Sequence, residues 1–163
     1  MGRLFGTDGI RGVANRDLSI QRSAQVGQAL ATVLRERLGD KKPRVFIGKD
    51  TRLSSDMIEA ALAAGLCAGG ADCVSLGVVP TPAVAYLTVA HGMDAGVMIS
   101  ASHNPFHFNG IKIFGSKGYK LTDDQEAEIE DMILDDAIPM HKAEAGEICR
   151  HPQGEALAVA YIR

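Results

Sequence analysis

The chain has 163 residues, enough for one well-buried domain and too few to argue for two. Its 46% hydrophobic and 23% charged residues are those of an ordinary soluble globular protein, and no apolar run approaches the ~18 residues of a spanning helix, so no membrane span is expected. The net charge of −3, without a basic run or basic residues interleaved with aromatics, argues against a nucleic-acid partner, and any phosphate handled here is expected to be small.

The N-terminus, MGRLFGTDGIRG, lacks the apolar core of a signal peptide, which makes the cytoplasm the expected location. Its stretch FGTDGIRG alternates glycines with Phe5, Ile10, Asp8 and Arg11. Two readings stand side by side: a turn in an N-terminal strand, or an arginine, Arg11, presenting its planar fork to an anion such as phosphate. From Ser19 to Leu38 the residues Val26, Leu30, Val33, Leu34 and Leu38 recur at helical spacing, with Ser19 as N-cap and Gly39 as stop. Arg44 to Gly48 is a short apolar strand, and Lys49, Asp50, Thr51 and Arg52 follow at its carboxyl end. Ligands of open α/β sheets gather outside such ends, so this cluster faces a site or forms a solvated loop that caps the next helix.

Ser54 or Ser55 caps a second helix, whose small residues around Gly65 suit close packing on a sheet, and Gly69 and Gly70 end it. Ala71 to Val79 is a third strand. The VPTP that follows predicts a helix with Thr81 as cap and Pro82 at its first position, closing near His91 and Gly92. Asp94 to Ser100 is a fourth strand, and a polar loop, Ala101 to Gly110, separates it from Ile111 to Phe114. There Ile111 and Ile113 point to one face and Lys112 to the other. A turn at Gly115 to Gly118 leads through Tyr119 to Leu121, and Thr122 with Gln125 forms a capping box for a helix that buries Ile129, Met132, Ile133 and Leu134. Residues 137–163 hold short apolar pieces without a period and read as an irregular tail. Three cysteines, Cys67, Cys73 and Cys149, make neither a C-x-x-C pair nor an even disulfide set, and Cys67 and Cys73 read as buried small hydrophobes. The order of elements predicts a three-layer αβα domain with a mixed, mostly parallel sheet.

The loop after the fourth strand concentrates the chemistry: ISASHNPFHFNG places hydroxyls, two imidazoles and two amides within a few residues. A serine hydrolase would use Ser102 and His103, but adjacent residues rarely reach nucleophile–base geometry and the G-x-S-x-G elbow is absent. A metal on His103 and His107 lacks further well-spaced ligands, and no Walker loop G-x-x-x-x-G-K-[ST] occurs. What remains is a phosphoryl group on Ser102, with Arg11, His103 and Lys112 available to neutralise it.

ISASHNPFHFNGIKIF resembles the phosphoserine loop of the α-D-phosphohexomutases, and FGTDGIRG, GKDTRLS and GVVPTPAVAYLT match further stretches of that family in the same order. Among its members the pattern is most similar to those acting on glucosamine phosphates. The resemblance implies domain I of such an enzyme, with Ser102 as the phosphorylated residue and with His103 and Asn104 shaping its loop. It also implies a phosphate contact for Arg11, a general acid/base role for Lys112, and phosphate or substrate binding by Asn104, Asn109 and Arg52. The substrate would be a phosphosugar and the activator or intermediate glucosamine 1,6-bisphosphate. The resemblance further implies one Mg²⁺ held by the Ser102 phosphate and by ligands from a second domain, and no carboxylate lies between Val97 and Phe114 to serve in their place. The family's enzymes are multidomain, so the expectation is a single domain whose partners are the other domains of its parent chain, with Ala158 to Arg163 leading towards them and with homo-oligomers allowed. Alternatives are a phosphoglucomutase or phosphomannomutase, or a phosphate-binding module without catalysis.

Overall fold

The structure is a computed structural model, and it describes residues 2–141, 144–150, 157 and 161. Chain order gives β1 (Phe5–Gly6), β2 (Gly9–Val13), α1 (Ile20–Leu38), β3 (Arg44–Lys49), α2 (Ser55–Ala68) and β4 (Asp72–Val78). There follow α3 (Thr81–Ala90), β5 (Ala95–Ile99), β6 (Phe108–Gly115), α4 (Asp123–Leu134) and β7 (Ile148–Arg150). The strands form one sheet in the order β1-β2-β6-β5-β3-β4-β7. β5, β3, β4 and β7 run parallel to one another, while β1, β2 and β6 pair antiparallel and join the parallel half through β5.

Strand alternation sorts the core into two layers. Val45, Ile47, Val97, Ile99, Ile111 and Ile113 bury one face of the sheet against α1, α2 and α4. Phe46, Leu76 and Met98 point the other way, against Ala83, Val84 and Leu87 of α3. Helices therefore cover both faces, as the order of elements predicts. Cys67 and Cys73 are buried with their sulfurs 3.9 Å apart.

The helix ends show how local signals act. Ser19 Oγ accepts from the Arg22 amide and Gly39 closes α1 at φ 64°, a left-handed stop. Thr122 and Gln125 form the reciprocal capping box of α4. Other expectations are corrected. The cap of α3 is Pro80, not Thr81, because Pro80 takes the extended backbone and Pro82 sits one position further into the helix. Ser54 occupies the N-cap of α2 but makes no capping bond, since its hydroxyl serves Asn109 instead. Gly65 packs α2 on α1 rather than on the sheet: a Cβ there would lie 2.1 Å from the Ala24 carbonyl oxygen. Leu134, at the end of its helix, is 36% exposed and leaves the buried stripe to Ile129 and Ile133. In the stretch read as irregular, residues 148–150 add a short parallel edge strand to β4. The expected lead-in at Ala158 to Arg163 lies outside the described residues apart from position 161.

The N-terminus is pinned from the far end of the sequence. The buried Glu130 carboxylate of α4 accepts the amides of Arg3 (3.0 Å), Leu4 (2.7 Å) and Phe5 (2.7 Å). Burial alone would raise its pKa, but these amides and the charge of Arg3 hold it below the usual carboxylate range. A depressed carboxylate adds stability above its unfolded pKa, and that stability is lost as pH falls through the folded value. Replacing Glu130 by Gln should cost about 1–3 kcal/mol in urea unfolding at neutral pH, since an amide turns a donor towards amides that need an acceptor. The gap between the two proteins should narrow below about pH 4. A gap that stays constant down to acid pH would contradict the role of the charge.

Candidate active site

The carboxyl ends of β3 and β5 lie side by side, joined by the Asp50 amide donating to the Ile99 carbonyl at 3.0 Å. They deliver the two loops that build the site, Asp50–Arg52 and Ala101–His107, at the position where open sheets collect ligands. After Ile99 the chain turns at once. The Asn104 amide donates to the Ala101 carbonyl at 3.1 Å, closing a turn in which Ser102 takes φ 56°. A non-glycine residue in this left-handed region stays there only when its surroundings over-determine it.

Those surroundings are specific. The Ser102 amide donates to Ser100 Oγ at 3.0 Å, and its carbonyl accepts from Arg52 Nη2 at 3.0 Å. A second turn follows, with the Phe108 amide on the Pro105 carbonyl, and the Ala14 amide ties the His107 carbonyl to the end of β2. Ser102 and His103 are left exposed and Asn104 half-buried, so the serine hydroxyl stands at the surface on a backbone held from both sides.

Arg11 and Lys112 approach from the neighbouring strands. Arg11 on β2 lies opposite Gly110 on β6, and the Gly110 carbonyl accepts the Ser100 amide, so all three sit at one level of the sheet. Ile10 and Ile111 face the α1/α2/α4 core, so alternation puts Arg11 and Lys112 together on the opposite face. Both are half-buried. The Arg11 guanidinium has a long pairing with Asp8, at 3.6 Å, and its Nε is buried without a hydrogen-bond partner among the described residues.

Two residues expected to bind phosphate, Asn109 and Arg52, are engaged inside the chain. Asn109 is fully buried, because β6 starts at Phe108 rather than Ile111 and takes Asn109 into the sheet. Its amide nitrogen donates to Ser54 Oγ (2.9 Å) and Ser55 Oγ (3.0 Å), fastening the strand to the start of α2. Arg52 spends its guanidinium on Asp50 and on loop carbonyls and turns no donor outward. Ser102, His103 and Asn104 thus stand on the loop at the end of β5, Arg11 lies opposite Gly110 at the level of Ser100, Lys112 lies on the same face opposite Met98, and Asn109 and Arg52 are tied into the chain behind the loop.

Sequence reasoning placed Asp50 in a cluster that could face a site but missed its bonding role, and it missed Ser100 and Gly110. Asp50 accepts the Arg52 amide at 3.0 Å in an Asx turn, a spacing readable in DTR, and accepts Ser55 Oγ at 3.0 Å. Burial alone would raise its pKa, but bonds from the Arg52 amide, Ser100, Ser55 and the Arg52 side chain hold it below the usual carboxylate range. Gly110 carries no local signal for its role.

The chain is thus a three-layer αβα domain with an exposed, turned serine at the carboxyl end of a central strand. The chain belongs to the phosphoglucomutase/phosphomannomutase family as its alpha/beta/alpha domain I, whose sequence model matches residues 2–138. It is 58% identical over 142 residues to a phosphoglucosamine mutase of Caldicellulosiruptor bescii, covering 85% of this chain and 31% of that protein. A phosphoglucosamine mutase of Syntrophomonas wolfei is 51% identical over 162 residues, covering 99% of this chain and 34% of that protein. The chain therefore spans about a third of the length of these curated relatives. A crystal structure of a phosphoglucomutase/phosphomannomutase family protein from Burkholderia thailandensis superposes with a TM-score of 0.79 at 27% identity, covering 94% of this chain and 34% of that one.

Gly110 gives a direct test of the site's packing. A Cβ there would lie 2.7 Å from the Ser100 carbonyl oxygen and 3.1 Å from Arg11 Cγ. Replacing Gly110 by Ala should cost about 1–3 kcal/mol in denaturant unfolding, because backbone on both sides has to move. An alanine variant as stable as the parent would show that the strands yield freely at this point.

Proposed function

We propose that this chain is the catalytic-serine domain of a phosphoglucosamine mutase, acting in the cytoplasm to interconvert glucosamine 6-phosphate and glucosamine 1-phosphate. The observation that carries the reading is the Ser102 hydroxyl, exposed on a left-handed turn whose amide and carbonyl are both fastened. The identities of 58% and 51% to phosphoglucosamine mutases, against 27% to the phosphoglucomutase/phosphomannomutase family structure, favour an amino sugar over a neutral hexose.

In the proposed cycle Ser102 Oγ carries a phosphoryl group. The Oγ–P bond breaks as a bond forms from phosphorus to the free hydroxyl of the sugar monophosphate, giving glucosamine 1,6-bisphosphate. The sugar then presents its other phosphate, and Ser102 Oγ takes that phosphoryl group back, which releases the isomer. Such transfers need positioning and charge stabilisation more than covalent help. Arg11, with its guanidinium half-exposed, supplies a forked cation for phosphate oxygens. Lys112, on the same sheet face, exchanges the proton with the sugar hydroxyl. His103 and Asn104 shape the loop beside the serine.

The Mg²⁺ that the family implies has no site made from these residues alone. Among the described residues, no group of three His, Cys, Asp or Glu side chains could hold a metal ion. Asp50 is committed to Arg52 and Ser55, and Asp8 faces Arg11. A phosphate on Ser102 would offer one set of oxygen ligands, and the remaining ligands have to come from outside them.

The test joins this chain to the remaining part of the Syntrophomonas wolfei enzyme and follows glucosamine 6-phosphate turnover. Ser102→Ala should lower kcat by at least ~10³-fold, the scale on which removed nucleophiles act. Glucosamine phosphates should be preferred over glucose or mannose phosphates by at least about tenfold in kcat/KM, a difference of ~1.4 kcal/mol in transition-state binding. Undiminished turnover without Ser102 would sink the nucleophile, and a preference for a neutral hexose would sink the sugar assignment.

A further inference from the structure

We infer that Arg52 is the positioning residue of the phosphoserine loop, acting on Ser102 through its backbone, and not a phosphate ligand. The inference rests on Ser102 being the nucleophile, and it concerns what holds that nucleophile in its unusual conformation.

A guanidinium has five N–H donors in a rigid planar fork. In Arg52 every one of them has an acceptor inside the chain. Nε donates to Asp50 Oδ2 at 3.1 Å, Nη1 to the carbonyls of Pro105 (2.8 Å) and Phe108 (3.0 Å), and Nη2 to those of Ser102 (3.0 Å) and Asn104 (2.9 Å). The side chain is only 12% exposed. A phosphate could gain an Arg52 contact only by displacing a loop carbonyl, and the displaced carbonyl would then need another donor.

Four carbonyls aimed at one point repel one another, and without a cation between them those of Ser102 and Asn104, which no backbone amide among the described residues bonds, would turn out to water. Arg52 removes that repulsion and so selects the loop shape in which they converge. Asp50 fixes the arginine in turn. It takes Nε, the Arg52 amide, Ser55 Oγ and Ser100 Oγ, and Ser100 Oγ accepts the Ser102 amide. The bonds close a circuit that starts at the Ser102 amide, passes through Ser100, Asp50 and Arg52, and returns at the Ser102 carbonyl. Both polar groups of the nucleophile's backbone belong to it, and the residue they enclose is the one held at φ 56°.

A lysine in this place has three donors on a flexible stem and cannot span four carbonyls and a carboxylate. Arg52→Lys is therefore the informative variant, because it keeps the charge and loses the fork. A phosphate ligand and a loop-positioning residue differ in which kinetic constant they move. In the chain joined to the remainder of the Syntrophomonas wolfei enzyme, Arg52→Lys should lower kcat by ~10–10²-fold, the effect of a misplacement on the order of 1 Å, and leave KM for the sugar phosphate within about threefold. Asp50→Asn should move kcat in the same direction. On the 163-residue chain itself, hydrogen exchange at the amides of Ser102 and Asn104 should speed up in Arg52→Lys while the amides of β3 and β5 keep their protection.

A KM that rises with kcat unchanged would assign Arg52 to phosphate binding and overturn the inference. So would unchanged exchange at Ser102 and Asn104. Failure of Ser102→Ala to lower turnover is a separate result that strikes the proposed function, while the exchange measurement still decides whether Arg52 holds the loop.

Discussion

One arginine holds the carbonyls of Ser102, Asn104, Pro105 and Phe108 against each other, and the site's shape depends on that contact. A loop of this length has no ladder partners of its own. Beyond the turn bonds of Asn104 and Phe108 and the tie from Ala14, its backbone groups must go to water or to a side chain, and water would leave many conformations open. Arg52 leaves one. Because the arginine is largely covered by its acceptors and balanced by Asp50, its charge interacts at short range.

The sheet makes that contact available. β3 and β5 are adjacent and parallel, so their carboxyl ends bring Asp50–Arg52 and Ser100–Ser102 to one edge of the same layer. β6 then returns antiparallel beside β5 and passes Gly110 under Arg11, where any larger residue would collide with backbone. Asn109, buried behind the loop, bonds β6 to the start of α2, so the helix that follows Arg52 and the strand that follows Ser102 are fastened to each other. In the proposed cycle this rigidity serves reactivity. A serine that gives and takes a phosphoryl group needs its oxygen in one place for both directions of transfer.

The parts legible in the sequence are those whose causes are local. Ser19 and the pair Thr122/Gln125 cap helices within one turn, and the alternation of Ile111, Lys112 and Ile113 fixes which of them faces the core. The loop at Ser102 is visible as a cluster of reactive groups, and resemblance to a family singles out the serine within it. What stays hidden is set by partners far along the chain. Ser54 looks like a cap until Asn109, 55 residues later, claims its hydroxyl. Arg52 looks like a phosphate ligand because its carbonyl partners lie 50 to 56 residues away. Gly110 has no signature, since its role is an absent side chain beside Arg11. The short β7 falls in a stretch without period because its few residues take their shape from pairing with β4.

The central claim is that one hydroxyl, held on a left-handed turn, carries the phosphoryl group. Ser100 lies two residues away with a hydroxyl of its own, but that hydroxyl is committed to the Ser102 amide and to Asp50. Mass spectrometric mapping of the phosphate on the active joined enzyme tests the claim most directly. Phosphate on Ser102, and not on Ser100, is the expected result; phosphate on Ser100, or on any residue outside the Ala101–His107 loop, would contradict it.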